Sequence, residues 1–262
     1  SQKIILSILL LLTLVVGYFS IEFIHGFSSA KQSSTVKKVE PKSVPTTLNV
    51  ALIGSDARSK DENGRSDSLL VAQYNQKTQQ AKLISIMRDS YVDIPGYGMN
   101  KINAAYSYGG VDLLNQTLKE NFKFEAPYYA SITFQDFIDC VNELFPGGVK
   151  IDAEKSLDLD GVYINKGEQV IKAISQQLKD VTSIFKLPKA VGKLLGSIQT
   201  NLPESVLLDC GMDFLKDNNK KIDTLSVPVD GSWDFNDNTP SGSVLELDLT
   251  KNQEAIKKFL NN

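Results

Sequence analysis

Histidine is nearly absent from this chain: His25 is the only one, and it lies beside a long apolar run near the N-terminus. A Ser-His-Asp or Cys-His relay needs an imidazole next to its nucleophile, so that chemistry falls away. Any base must be a carboxylate, a lysine or a metal-bound oxygen. Cysteine is scarce too. Cys140 and Cys210 have no neighbouring Cys or His at metal-ligand spacing, which leaves a zinc site unsupported. Each sits in a helical pattern among core-like residues, so buried thiols are expected, with a disulfide as the alternative in an exported chain. Strong charge of one sign is also missing. At a net charge of −3 there is no basic field to favour nucleic acid. There is no internal repeat.

Arginine is far scarcer than lysine and more unevenly placed. It occurs only at Arg58, Arg65 and Arg88, whereas lysines run from Lys3 to Lys258. Lysine serves solubility; the planar guanidinium is favoured where carboxylate or phosphate is gripped by two parallel bonds. Acidic residues sit tightly among the three: Asp56-Ala57-Arg58, Arg65-Ser66-Asp67 and Arg88-Asp89. A salt-bridged loop is the plain reading of such pairs. Their position at the ends of strand-like segments, where open α/β sheets place ligands, favours a phosphate and metal site.

The remaining composition, 42% hydrophobic and 23% charged over 262 residues, fits one ordinary globular domain with appendages. The uncharged run 4–21, roughly 18 residues, is about the minimum for a helix across a bilayer core. It exceeds the apolar part of a usual signal peptide, so residues 1–27 are expected to be a membrane anchor. Ser28-Ser29-Ala30, a cleavage-like site, keeps a signal peptide as the alternative. Residues 28–47, rich in Ser, Thr, Lys and Pro, read as a solvated tether. Residues 48–262 form the body. The expected location is the cell membrane, spanned once, with the body on the extracellular face.

Along the body, 48–53, 68–74 and 81–87 read as strands, the last two joined by a polar hairpin loop at 75–79. Apolar runs within them suggest strands covered on both faces. Residues 91–98, with Pro95-Gly96, read as a loop of turn residues. A helical pattern covers 111–118, a strand 127–132, and Thr133-Phe134-Gln135-Asp136 opens a helix to Leu144. Further on come a strand at 149–151, helices from 169, at 188–198 and after Pro203, and strands at 221–227 and 244–249. Thr250-Lys251-Asn252-Gln253 caps a terminal helix. This alternation predicts an α/β domain: a mixed β-sheet with helices on both faces, preceded by one transmembrane helix. Pairing through the 75–79 hairpin returns the end of the third strand to the start of the second, which would set Arg88 beside Asp67.

The order of elements and motifs resembles the LytR–CpsA–Psr family of bacterial cell-envelope proteins across about 48–262. The match rests on Gly54-Ser55-Asp56-Ala57-Arg58, Gly64-Arg65-Ser66-Asp67-Ser68, Ser85-Ile86-Met87-Arg88-Asp89, Lys101-Ile102-Asn103-Ala104-Ala105-Tyr106 through Gly109-Gly110, and Leu159-Asp160-Gly161. The resemblance implies a phosphotransferase of Gram-positive bacteria. Such an enzyme moves a secondary glycopolymer, teichoic acid or capsule, from a polyprenyl-pyrophosphate carrier in the membrane lipid onto peptidoglycan. It also implies Asp56 and Asp67 as ligands of Mg²⁺, with Mn²⁺ as a substitute. Arg65 and Arg88 map to the arginines that bind the pyrophosphate, with Arg58 a nearby candidate, and Arg65, Arg88 and Asp67 are the catalytic candidates.

One departure stands out. Family members carry a second arginine-rich stretch after the Leu-Asp-Gly segment, but here Asp160-Gly161 runs through Lys166-Gly167-Glu168 into Gln169, and no arginine follows Arg88. Two other functions therefore stay open: a non-catalytic binder of lipid-linked polymer or envelope regulator, and a metal-dependent lipid pyrophosphatase.

Overall fold

A computed structural model describes residues 20–22, 24–26, 28–29, 45–56, 64–78, 80–145, 187–203, 205–206 and 222–261. Most of the apolar run 4–21, Arg58, the expected elements at 149–151 and 169–185, most of the helix after Pro203, Cys210 and the departure at 160–169 lie outside them. Among the described residues no helix is long and apolar enough to cross a membrane.

β1 (Thr47–Ser55), β2 (Ser66–Asn75) and β3 (Gln80–Ile86) form an antiparallel trio. On β1 the period of two is plain. Leu48, Val50 and Leu52 join one apolar cluster with Tyr74, Leu202 and Val206, while Ala51 and Ile53 join the other with Leu69, Val71, Ile84 and Ile86. Both faces of the sheet are covered, as the apolar runs predicted. β6 (Tyr128–Thr133) adds to β1 in parallel, β7 (Gln199–Thr200) pairs antiparallel with β6, and β8 (Asp223–Val227) lies parallel to β3. The sheet is mixed and six-stranded, in the order β7-β6-β1-β2-β3-β8.

A second sheet was not foreseen. Residues 91–98, read from sequence as a loop of turn residues, fall within the hairpin of β4 (Ser90–Ile94) and β5 (Gly98–Lys101). Their turn signals fill only the tip: Gly96 and Gly98 adopt φ of +81° and +76°, and the Tyr97 N–H closes on the Ile94 carbonyl. β9 (Trp233–Thr239) and β10 (Gly242–Leu247) complete a sheet ordered β5-β4-β10-β9, with β10 parallel to β4. β9 alternates no apolar face toward the core, so periodicity could not reveal it.

α1 (Ile102–Phe122) links the sheets. Ile102, Ala105, Leu114, Leu118 and Phe122 are buried in the larger cluster with Ile256 of α4 (Leu249–Asn261), numbered after two helices described below. The helix breaks at Gly109-Gly110, where Gly110 has φ 63° and ψ −150°, a region open essentially to glycine alone. Asn121 ties three elements together. Its Oδ1 accepts from the Asp93 N–H, its Nδ2 donates to the carbonyls of Asp93 and Thr117, and its own carbonyl accepts from Gln253.

The cap of α4 differs from expectation. Asp248, not Thr250, accepts the Lys251 N–H at 3.1 Å, and that bond holds the Asp248 carboxyl below its ordinary range. A depressed carboxyl contributes stability above its unfolded pKa and loses it as pH falls through the folded value. Asp248→Ala is therefore expected to lower the thermal midpoint at pH 7, with the gap to wild type closing as pH drops through the carboxylate range. Melting curves at pH 7 and pH 3 check this; an equal gap at both would count against an ionised cap.

These strands, α1 and α4 belong to one compact unit, and the described residues within 20–29, 135–145 and 187–198 to another. The second unit contains most of α2 (Phe134–Leu144) and α3 (Leu187–Ser197). Within it Lys189 pairs with Glu143 at 2.8 Å, and a Cβ on Gly26 would run into the Lys189 carbonyl. Cys140 is a buried free thiol, as composition suggested, and burial pushes its pKa up to about 11. At neutral pH it is not a nucleophile.

Candidate functional site

The site is built where β1 and β2 lose regular pairing. Gly54 pairs with Ser68 and Ser55 with Ser66, so Asp67 is the extra residue of a bulge. Bulges re-aim side chains, and this one turns Asp67 out of the ladder while Ser66 stays fully buried. At Gly54 a Cβ would lie 3.0 Å from the Phe134 and Ser68 side chains, tighter than ordinary contact, so glycine leaves them room. The backbone then draws the two acidic residues together. The N–H groups of Asp56 and Asp67 both donate to the Arg65 carbonyl, at 3.3 and 3.1 Å, and the Arg65 N–H donates back to Asp56 Oδ1 at 2.6 Å.

β3 brings the third group. Leu69 pairs with Ile86, so the chain leaving β3 passes the start of β2, and an Arg88 Nη lies 3.3 Å from Asp67 Oδ1. Arg88 Nε lies 3.4 Å from Asp89 Oδ2, and Lys101 Nζ 2.8 Å from Asp89 Oδ1. Asn103, in the first turn of α1 and 5% exposed, stitches this row to the helix. Its Nδ2 donates to Asp67 Oδ1 at 3.1 Å and its N–H to the Arg88 carbonyl at 3.3 Å. The Arg88–Asp67 pair is partly open to solvent, so its worth is chiefly geometric.

Beside this row opens a cavity of about 320 Å³, lined by Arg65, Lys101, Asn100, Asn103, Ser107 and Tyr108, with Pro240 and Ser241 from the β9–β10 turn. Two cations and several hydrogen-bonding groups line it, and among the described residues no carboxylate does. Such a lining suits an anionic, oxygen-rich ligand. Of the residues named from sequence, Arg65 lines the cavity. Asp67 and Arg88 are joined to it through Asn103, Asp56 is joined to Arg65, and Arg58 is not described. Sequence reasoning gave no role to Lys101, Asn103, Tyr108 or Ser241. Lys101 and Asn103 stood in a quoted motif; Ser241 carried no signal, because its turn depends on a strand that periodicity did not show.

A divalent cation needs oxygen donors with free lone pairs. No group of three or more His, Cys, Asp or Glu forms a ligand cage among the described residues. Asp56 and Asp67 each use Oδ1 for hydrogen bonds, and among the described residues neither Oδ2 receives one. The buried Oγ of Ser66, next to Asp67 in the chain, has no hydrogen-bond partner among the described residues. Two carboxylate oxygens completed by phosphate oxygens and water suit Mg²⁺, which rarely occupies an all-protein cage. The residues fit.

On this mixed α/β fold an acidic pair backed by arginine lies beside a cavity lined by two cationic side chains. The chain belongs to the LytR_cpsA_psr family, whose model matches residues 18–171 and 163–258. It is 32% identical to the regulatory protein MsrR of Staphylococcus aureus, over 94% of this chain and 85% of that protein. It is 35% identical to the polyisoprenyl-teichoic acid–peptidoglycan teichoic acid transferase TagT of Bacillus subtilis, over 58% of this chain and 44% of that one. Among solved structures, B. subtilis TagV superposes with a TM-score of 0.62 at 26% identity, covering 86% of this chain and 99% of that one.

Proposed function

We propose that this chain transfers a glycopolymer from a polyprenyl-pyrophosphate carrier to a sugar hydroxyl of peptidoglycan. The observation that carries the reading is the cavity lined by Arg65 and Lys101, tied through Asn103 to the Asp67–Arg88 pair. The similarity to a teichoic acid transferase supports it. The acceptor oxygen bonds to the phosphorus that bears the polymer, the bridging P–O bond breaks, polyprenyl phosphate leaves, and the hydroxyl proton passes to solvent. Little covalent help is needed; positioning and neutralisation of oxygen charge lower the barrier. Arg65 and Lys101 offer that charge from the cavity wall, and Asn103 holds Asp67 and the Arg88 backbone in register. Asp56 and Asp67 would hold Mg²⁺, or Mn²⁺ in its place, which when bound neutralises pyrophosphate oxygens. In this reading the chain works at the outer face of the cell membrane, anchored by its N-terminal apolar run.

The test is product identity. Purified full chain, polyprenyl-pyrophosphate-linked saccharide and peptidoglycan are expected to give saccharide joined to glycan through a phosphodiester, with polyprenyl phosphate released. Saccharide phosphate without linkage would assign a pyrophosphatase, and lipid left unchanged would assign a binder or regulator.

A further inference from the structure

The cavity continues into an aromatic shelf that the proposed chemistry does not use. Tyr97, at the tip of the β4–β5 hairpin, stacks on Tyr108 of α1 with ring centroids 4.7 Å apart and planes inclined by 21°. Both rings stay open to water, at 56% and 44% exposure, and Met99, two residues on from Tyr97, is 51% exposed. Large apolar groups gathered at a cavity mouth mark a ligand surface more often than a structural need. The shelf is firmly built. Gly96 and Gly98 flank Tyr97 with left-handed φ, the Tyr97 N–H closes the turn, and Tyr108 ends the first segment of α1 before the Gly109-Gly110 break.

The shelf also has a polar edge. Asn100 Nδ2 donates to the Tyr108 hydroxyl at 3.0 Å, while Asn100 Oδ1 accepts from the Lys101 N–H. The Tyr108 hydroxyl proton is therefore left to donate outward. Asn100 and Tyr108 are at the same time cavity wall, in the wall that also holds Arg65 and Lys101. Aromatic faces with a hydroxyl and an amide at their edge match a pyranose ring, which presents a C–H face and equatorial hydroxyls.

We propose that Tyr97, Tyr108 and Asn100 form the subsite for a sugar ring of the acceptor glycan strand, delivering its hydroxyl to the cavity. The assignment rests on the transfer reading above. The open geometry favours acceptor over donor. A donor's first sugar is attached to the diphosphate and falls inside the cavity, whereas an internal sugar of a strand continues in both directions and needs a shelf without walls.

The experiment combines binding and kinetics. Full chain titrated with chitotetraose is expected to bind it, and Tyr97→Ala with Tyr108→Leu to weaken that binding by roughly tenfold. In transfer assays Tyr97→Ala alone, which removes a ring that does not line the cavity, should raise KM for the glycan acceptor while KM for the lipid donor holds. Both tyrosines are surface residues, and an unchanged melting temperature confirms that the fold is intact. No binding by wild type, or equal binding by both proteins with an unchanged acceptor KM, overturns the assignment. A rise in donor KM alone also overturns it, placing the donor's sugar on the shelf. Tyrosine-dependent binding in a protein that transfers nothing would leave the glycan subsite standing and bring down the transfer reading.

Discussion

Asp67→Asn is expected to slow transfer by roughly 10²–10³-fold, about 3–4 kcal/mol, while leaving the fold intact. Asparagine keeps an acceptor oxygen where Asp67 Oδ1 now receives Asn103 Nδ2 and faces Arg88. The packing of the α1 start therefore survives, and only the negative charge disappears. That charge is needed twice: it orients the Arg88 guanidinium, and it would hold a divalent cation against the substrate's oxygens. Asp67→Ala should be equally inactive and also less stable, because the buried Asn103 amide loses its acceptor. Arg88→Lys should fail for a different reason. An ammonium is a point charge and cannot span a carboxylate and a phosphate with one planar fork. Initial rates with purified lipid donor, alongside urea melts, separate these cases. Near-normal turnover in Asp67→Asn and Arg88→Lys would make the pair a structural salt bridge and remove it from the chemistry.

Phe122→Ala should produce the largest loss of stability, about 3–5 kcal/mol, because it removes a fully enclosed ring that neighbours cannot refill. Phe122 is 1% exposed, belongs to the cluster joining the six-stranded sheet to α1, and lies 6.5 Å from the Phe124 ring. It follows Asn121, whose side chain fixes α1 to β4 and whose carbonyl meets α4, so a cavity there loosens three elements together. Domains carry only roughly 5–15 kcal/mol in all, so the variant should approach the limit of folding at 37 °C. A urea titration followed by circular dichroism measures it; a loss near 1 kcal/mol would show that the cluster collapses around the gap.

The three central strands were legible because burial on both faces leaves short, near-continuous apolar runs, such as Leu69–Val71 and Leu83–Ile86, on the chain itself. From the hairpin alone followed the approach of Arg88 to Asp67. The second sheet was not legible. β4 is short and leads into Pro95-Gly96, whose turn signal dominated the window, and it gains strand pairing from β10, far along the chain. The α4 start was misplaced because Asp248 and Thr250 are both good caps, and only the hydrogen bond to Lys251 decides between them.

By itself the sequence determined the kinds of chemistry open to this protein. One histidine and two isolated cysteines removed the usual nucleophilic relays and zinc, and arginines confined to 58–88 pointed to phosphate. Residue types set pKa, charge and ligand preference wherever they fall, so composition suffices for that much. Which atoms meet was decided only by tertiary structure. Lys101, Asn103 and Ser241 enclose the same cavity as Arg65 although they come from a hairpin, a helix start and a turn near the C-terminal end. The shelf of Tyr97 on Tyr108 likewise depends on two glycine-governed bends that set the angle between a hairpin and a helix. Such convergence is fixed by register between distant strands and by packing around one core, and no local period encodes either.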